Sequence, residues 1–285
     1  MLEQLTFFIG MLPLLFRKKP SVFYLGEYKL YCYLFKFRSL FNLNYSLVLY
    51  TGGQAAPGLF DHTKDFVHHV TDVYLPYTRE LGIPASREFI IPHYVDCTFT
   101  IDSAQVAKIR SLAGGKSIFL SVGIIDSAIK RMDLIPKLLF QFKEDVFVIL
   151  LGRQTDQTPF VLRQFETLMP GQFIYTEIPH KEIGNYYAAA DYLIQCSRRE
   201  SFGYMYVEAL SANLTVITHD FPEARYVLEE HALFVDMNKP EHASVEISEF
   251  VQTKKRIAGA AYAANKYSWE TVGIQYTDMF RNFVQ

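Results

Sequence analysis

Cysteine is scarce in this 285-residue chain: Cys32, Cys97 and Cys196 are odd in number and far apart. That spacing excludes a disulfide framework and a cysteine metal site, and fits a reducing cytoplasm. A charge excess of one sign is missing too. The formal net charge is −2, which argues against a dedicated nucleic-acid binder, and the basic clusters Arg17-Lys18-Lys19 and Lys36 with Arg38 are short. Internal repeats and low-complexity tracts are absent. No apolar run is long enough to span a bilayer. The first, Phe7 to Phe16, is preceded by Glu3 and followed by basic residues, the reverse of a secretory signal. It reads as a helix that is buried or touches a membrane, and 24 Phe with 19 Tyr leave peripheral membrane contact open.

What is present is a regular alternation. Half the residues are apolar, enough for a large core, and the length suits two domains. Apolar runs at 117–122, 146–151, 172–178, 192–196, 215–218 and 232–235 read as buried parallel strands. Helix-period segments at 129–142, 158–169, 181–190, 204–212 and 223–230 lie between them. Such units predict a doubly wound α/β sheet, which binds ligands outside the carboxyl ends of its strands. The first hundred residues show a shorter version, with strands expected at 21–25, 46–50, 72–75 and 88–91 and helices at 28–41 and 62–70. Residues 92–103 read as a hinge, and helices over 254–266 and 269–283 close the chain.

One stretch organises the rest: Glu200-Ser201-Phe202-Gly203-Tyr204-Met205-Tyr206-Val207-Glu208. It joins a strand-like run to a helix-like run, so its two carboxylates stand at the turn and one turn into the helix, roughly 12 Å apart by the helical rise. That is about the reach from a hexose to the ribose of its nucleotide, and a carboxylate accepts two hydrogen bonds from a vicinal diol. Helix-start amides between them suit phosphate or sugar oxygens. The plain alternative is that glutamates near a helix start are favoured by the helix dipole anyway.

These residues resemble the retaining glycosyltransferases of the GT-B fold, the group often called family four. The carriers are Glu200, Phe202-Gly203 and Glu208, with further segments in matching order. Ile90-Ile91-Pro92-His93-Tyr94-Val95-Asp96 looks like the domain junction. Ser121-Val122-Gly123 followed by Lys130 looks like the first donor-domain strand and its phosphate loop. Ile178-Pro179-His180-Lys181-Glu182-Ile183, then Tyr186-Tyr187-Ala188-Ala189-Ala190-Asp191, resembles the segment beside the nucleobase. Ser268-Trp269-Glu270 resembles the start of the final helix. The match is good over residues 85–285 and loose before them.

The resemblance implies a GT-B-like α/β fold of two Rossmann-like domains facing a cleft: a shortened acceptor-side domain at 1–96, a nucleotide-sugar domain at 97–268, and a helix at 269–285 crossing back. Glu200 would hold hydroxyls of the transferred sugar and Lys130 would neutralise the diphosphate. Gly123 and the amides around Ser201, Phe202, Gly203 and Tyr204 would face sugar and diphosphate. Glu208 would grip the ribose, and Ile178, Pro179 and His180 would line the base pocket. The donor would be a UDP- or GDP-sugar, the acceptor a glycan or lipid-linked molecule, with no cofactor. No Asp-x-Asp motif is present, so no metal ligand is assigned. The expected location is cytoplasmic, with the inner membrane face left open.

The chain also departs from the family. Ile124 stands where an arginine usually joins the lysine on the diphosphate; Arg131 and Arg153 are the available substitutes, although such arginines more often face solvent. The strand at 46–50 leads to Thr51-Gly52-Gly53-Gln54 in place of the usual histidine, and Gly52 and Gly53 are the acceptor-side candidates, weighed against a plain turn. His62, His68 and His69 are placed on a polar helix-like stretch. His219 precedes Asp220 at a strand end and reads as structural. A catalytically weak relative that binds a nucleotide sugar or a partner chain is the second reading; an epimerase or phosphorylase of similar fold is the third.

Overall fold

The computed structural model describes residues 2–16, 21–52 and 58–283. The chain divides into two compact units, Met1–Tyr94 with Glu270–Gln285, and Val95–Trp269. Among the described residues, no helix is long and apolar enough to cross a membrane.

The first unit contains α1 (Leu2–Leu15), β1 (Ser21–Leu25), α2 (Tyr28–Phe41), β2 (Tyr45–Tyr50), β3 (Asp65–His69), α3 (Leu75–Glu80) and β4 (Glu88–Ile90). The four strands pair in parallel in the order β1-β2-β3-β4. Met11 and Leu15 of α1 and Leu30, Tyr31 and Leu34 of α2 pack with Leu47 and Leu49 of β2, while Phe7, Ile9 and Phe16 stay exposed. A polar anchor lies inside this core: Arg38 grips Asp65 with both terminal nitrogens (2.5 and 2.8 Å), and Tyr31 donates to the same carboxylate at 3.1 Å.

Two expectations for this unit fail together. Residues 62–70 are not a helix but contain β3, and 72–75 is not a strand but leads into α3. The cause is burial on both faces: Val67, His68 and His69 are all fully buried in the centre of a parallel sheet, so polar histidines replace the apolar run that normally marks such a strand. His68 finds partners inside, with its Nδ1 2.5 Å from the Tyr24 hydroxyl and its Nε2 2.8 Å from Ile91 O.

The second unit contains α4 (Ser103–Leu112), β5 (Ser117–Val122), α5 (Ile135–Leu139), β6 (Val146–Leu151), α6 (Thr158–Leu168), β7 (Phe173–Thr176), α7 (Ile183–Ala189), β8 (Tyr192–Gln195), α8 (Tyr204–Ser211), β9 (Thr215–His219), α9 (Pro222–Leu228), β10 (Ala232–Val235), α10 (Pro240–Gln252) and α11 (Ala260–Tyr267). α12 (Trp269–Arg281) follows, and its Val272 and Met279 pack on Ile91 within the first unit. α4 and α10 were not foreseen. α4 lies just beyond the expected hinge, capped by Asp102, whose carboxylate accepts from the Ala104 and Gln105 amides. The helix expected at 254–266 begins only at Ala260, and the one at 129–142 is broken by a left-handed residue, Arg131 (φ 52°), and a non-helical Phe142.

All strands of this sheet run parallel in the order β10-β9-β8-β5-β6-β7. β6 is buried at every position, as expected for a strand covered on both faces. The chain leaves β5 toward β6 and β7, then returns to the other side of β5 with β8. The order therefore reverses between β5 and β8, where the loops leaving the two carboxyl ends diverge and open a crevice.

Candidate active site

The loop after β5 enters this crevice. Gly123 donates to Leu151 O at 2.9 Å and has φ +142°. A Cβ there would lie 2.7 Å from Lys130 Cε, so the lysine stem crosses directly over the glycine. The buried Asp126 carboxylate accepts from the Ile129 and Lys130 amides at 2.9 and 2.7 Å, and Arg198 N donates to Ile129 O at 3.2 Å. The last bond ties the loop after β5 to the loop after β8.

On that second loop stands Glu200. Its Oε1 is 2.5 Å from Lys130 Nζ, and both side chains are mostly shielded, at 14% and 12% exposure. A charged pair this short in a partly dry crevice is a strong charge-assisted bond. Ser201 is exposed and Phe202 is buried against the Tyr267 ring. Gly203 starts α8 with φ +88°, and a Cβ there would meet the Tyr206 ring at 2.5 Å. α8 opens at exposed Tyr204, and Tyr206 N donates to Gly203 O at 2.9 Å, so the helix start lies beside Glu200.

Glu208 follows on the same helix, 6% exposed. Tyr187 OH donates to its Oε2 at 2.7 Å, and His180 Nε2 lies 3.1 Å from its Oε1. Burial, and then the neighbouring carboxylate, push the Tyr187 phenol well above its ordinary range, so it remains a donor. His180 and Pro179 are exposed and Ile178 half-buried. The Glu200, Lys130, Gly123, Glu208 and His180 positions thus share one end of one sheet.

Arg131 goes elsewhere. It is neither solvent-facing nor free for a diphosphate: it is 5% exposed, donating to Asn238 Oδ1 and Met237 O at 3.1 Å each. The left-handed turn costs roughly 1 kcal/mol of strain for a residue with a Cβ, and Lys130 and Arg131 bond to different segments. His219 joins this group, with Nε2 3.3 Å from Asn238 Nδ2 and Nδ1 3.4 Å from Val235 O, and burial lowers its pKa. Gly52 has φ +58° in the first unit, where Tyr50 OH also lies 2.8 Å from His93 Nε2; Gly53 lies outside the described residues. Asp126 and Asn238 escaped sequence reasoning, and Tyr187 was read only as part of the segment beside the nucleobase, not as a donor to Glu208. Asp126 carries a local signal, an aspartate three and four residues before the amides it binds; Asn238 carries none.

A separate cavity of about 730 Å³ lies at the opposite, amino ends of β5 and β8, lined by Lys116, Ser117 and Tyr192. Among the described residues, no group of His, Cys, Asp and Glu is arranged to hold a metal ion.

The sequence model of the family described as Glycosyl transferases group 1 matches residues 103–267, more than half of the chain. The chain belongs to this family of glycosyltransferases. No protein of curated function matches it by sequence. Solved glycosyltransferase structures resemble this one in fold. Anabaena HepE in complex with UDP is 15% identical, with a TM-score of 0.79 over 92% of this chain and 79% of that one. Sucrose-phosphate synthase from Thermosynechococcus elongatus is 18% identical, with a TM-score of 0.74 over 92% and 73%. The lipopolysaccharide outer core galactosyltransferase WaaB is 10% identical, with a TM-score of 0.76 over 99% and 80%. These likenesses establish the GT-B fold as α/β with parallel sheets.

Proposed function

We propose that this glycosyltransferase moves a sugar with retention of configuration from a nucleoside diphosphate sugar to a glycan or lipid-linked acceptor. The observation that carries the reading is the Lys130–Glu200 pair at the strand-order reversal, with Glu208 held one helix segment away. Glu200 accepts from sugar hydroxyls, Glu208 from the ribose diol, and Lys130 with the α8 amides faces the diphosphate. As the bond between the anomeric carbon and the phosphate oxygen breaks, positive charge builds on the sugar ring and negative charge on the leaving phosphate. A fixed cation and oriented amides stabilise the second, usually the largest single contribution to catalysis. The leaving oxygen takes the acceptor hydroxyl's proton while the acceptor oxygen bonds to the same face of the sugar, so retention needs no protein nucleophile. The diphosphate charge is met by this cation and these amides, without a divalent ion.

The nucleoside is read as uridine because similar folds are recorded with UDP and with UDP-glucose; guanosine is the alternative. Work at the inner membrane face is supported by the exposed Phe7, Ile9, Phe16 and Leu40 of the first unit. A second reading, a weak transferase that chiefly binds its donor, is favoured by Ile124 in the phosphate loop and by the diversion of Arg131 from it.

The test is calorimetric binding of UDP, GDP and ADP, followed by hydrolysis or transfer assays with the corresponding sugars. Turnover abolished by Glu200→Ala supports transfer. Tight binding without turnover on any sugar supports the second reading, and no binding of any nucleotide overturns both.

A further inference from the structure

Lys130 and Arg131 are adjacent in sequence, yet their side chains bond to different segments. Lys130 reaches Glu200, and Arg131 reaches the segment after β10, where it holds Met237 O and Asn238 Oδ1. Arg131 is left-handed (φ 52°, ψ 38°), a conformation glycine adopts freely and arginine does not. The turn is held by its own backbone, with Met132 N donating to Asp126 O at 2.9 Å, and by the two guanidinium bonds.

The bonds extend further. Asn238 Oδ1 accepts from Arg131, and its amide nitrogen lies 3.3 Å from His219 Nε2, while Met237 N donates to His219 Nδ1 at 3.2 Å. One connected strut thus runs from the phosphate-side loop through Arg131 and Asn238 to the carboxyl end of β9. On the other side, Asp126 fixes the Lys130 amide and Arg198 N holds Ile129 O.

We propose that Arg131 is a positioning residue, which locks the turn that aims Lys130 at Glu200. It acts through Lys130 and does not touch the donor; the inference rests on the catalytic reading of Lys130 only for its kinetic consequence. The position demands a residue that is costly in this conformation and then binds it down from the far side, which a glycine could not do. The loop therefore gains a fixed lysine where an unanchored turn would let it swing.

The experiment compares the wild-type chain with Arg131→Gly and Asn238→Ala. Glycine permits the left-handed turn but removes the strut, and Asn238→Ala removes one of its two partners. The first readout needs no substrate: the rate at which acetic anhydride labels each lysine, followed by mass spectrometry. Lys130 is expected to label slowly in the wild type, at least threefold faster in Arg131→Gly, and by a smaller increment in Asn238→Ala, with the exposed Lys137 on α5 unchanged. Equal Lys130 labelling in wild type and in folded Arg131→Gly overturns the strut. Should Arg131→Gly fail to fold, Asn238→Ala decides by the same criterion.

The second readout is UDP-glucose hydrolysis. kcat is expected to fall tenfold or more in Arg131→Gly with KM within twofold, and to fall no further when Arg131→Gly is added to Lys130→Ala, because the two act in series. Additive losses would show that Arg131 works independently of Lys130 and overturn the assignment. If Lys130→Ala leaves turnover unchanged, the catalytic reading of Lys130 fails, while the labelling result still decides whether Arg131 positions it.

Discussion

Lys130 and Glu200 stand 70 positions apart in sequence and 2.5 Å apart in space, each on a loop leaving one of the two strands where the sheet order reverses. Each neutralises the other. On the proposed function, a diphosphate sugar exchanges this contact for its own, trading one ion pair for contacts to phosphate and hydroxyl oxygens.

Removing the cation tests the trade. Lys130→Ala is expected to lower kcat by about 100-fold, the cost of losing one preorganised group aimed at a developing anion. Glu200→Gln, which keeps the shape but loses the charge, should reduce turnover as well. Steady-state kinetics with a sugar nucleotide measure both, and unaltered kcat in Lys130→Ala would refute its role.

Tyr187 and Glu208 yield a prediction about affinity. The Tyr187 hydroxyl is the fully buried donor that orients Glu208. Tyr187→Phe should weaken nucleotide binding by about tenfold, in line with ~1.5 kcal/mol for a hydrogen bond to a charged group, with kcat at saturation little changed. Isothermal titration with UDP reads the first effect; a lowered kcat at unchanged affinity would contradict it.

In the first unit, Asp65 neutralises Arg38 where both are buried. Asp65→Ala leaves a guanidinium without its partner, at a cost of about 3–5 kcal/mol. Urea unfolding followed by circular dichroism should show this loss, and a change below 1 kcal/mol would mean that water or Asp61 takes over the charge.

Acid sensitivity follows from His68. Burial, with His69 and His93 nearby, pushes its pKa down from 6.5 to about 4. The fold favours the neutral ring, so the unfolded chain binds a proton first as pH falls. The stability His68 contributes is complete above pH 6.5 and is lost as pH drops toward 4, by about 3 kcal/mol at most. His68→Gln should therefore flatten the stability profile between pH 6.5 and 4. An unchanged slope would show that another group dominates acid unfolding.

Periodicity and spacing in the sequence determined much of the second unit. Apolar runs at 117–122 and 146–151 became β5 and β6 without shift, because strands buried on both faces are nearly continuous in apolar residues. The same rule misled at β3, where buried His68 meets hydrogen-bond partners supplied by Tyr24 and the Ile91 carbonyl, neither visible from residues 65–69 themselves. The glutamate pair and Lys130 were legible as candidates, since glycine-bearing turns after strands mark close approaches. Which lysine meets which glutamate, and where Arg131 points, was settled by strand order and by one left-handed residue. Both depend on contacts between segments 70 to 107 residues apart, and a local pattern holds no information about partners at that distance.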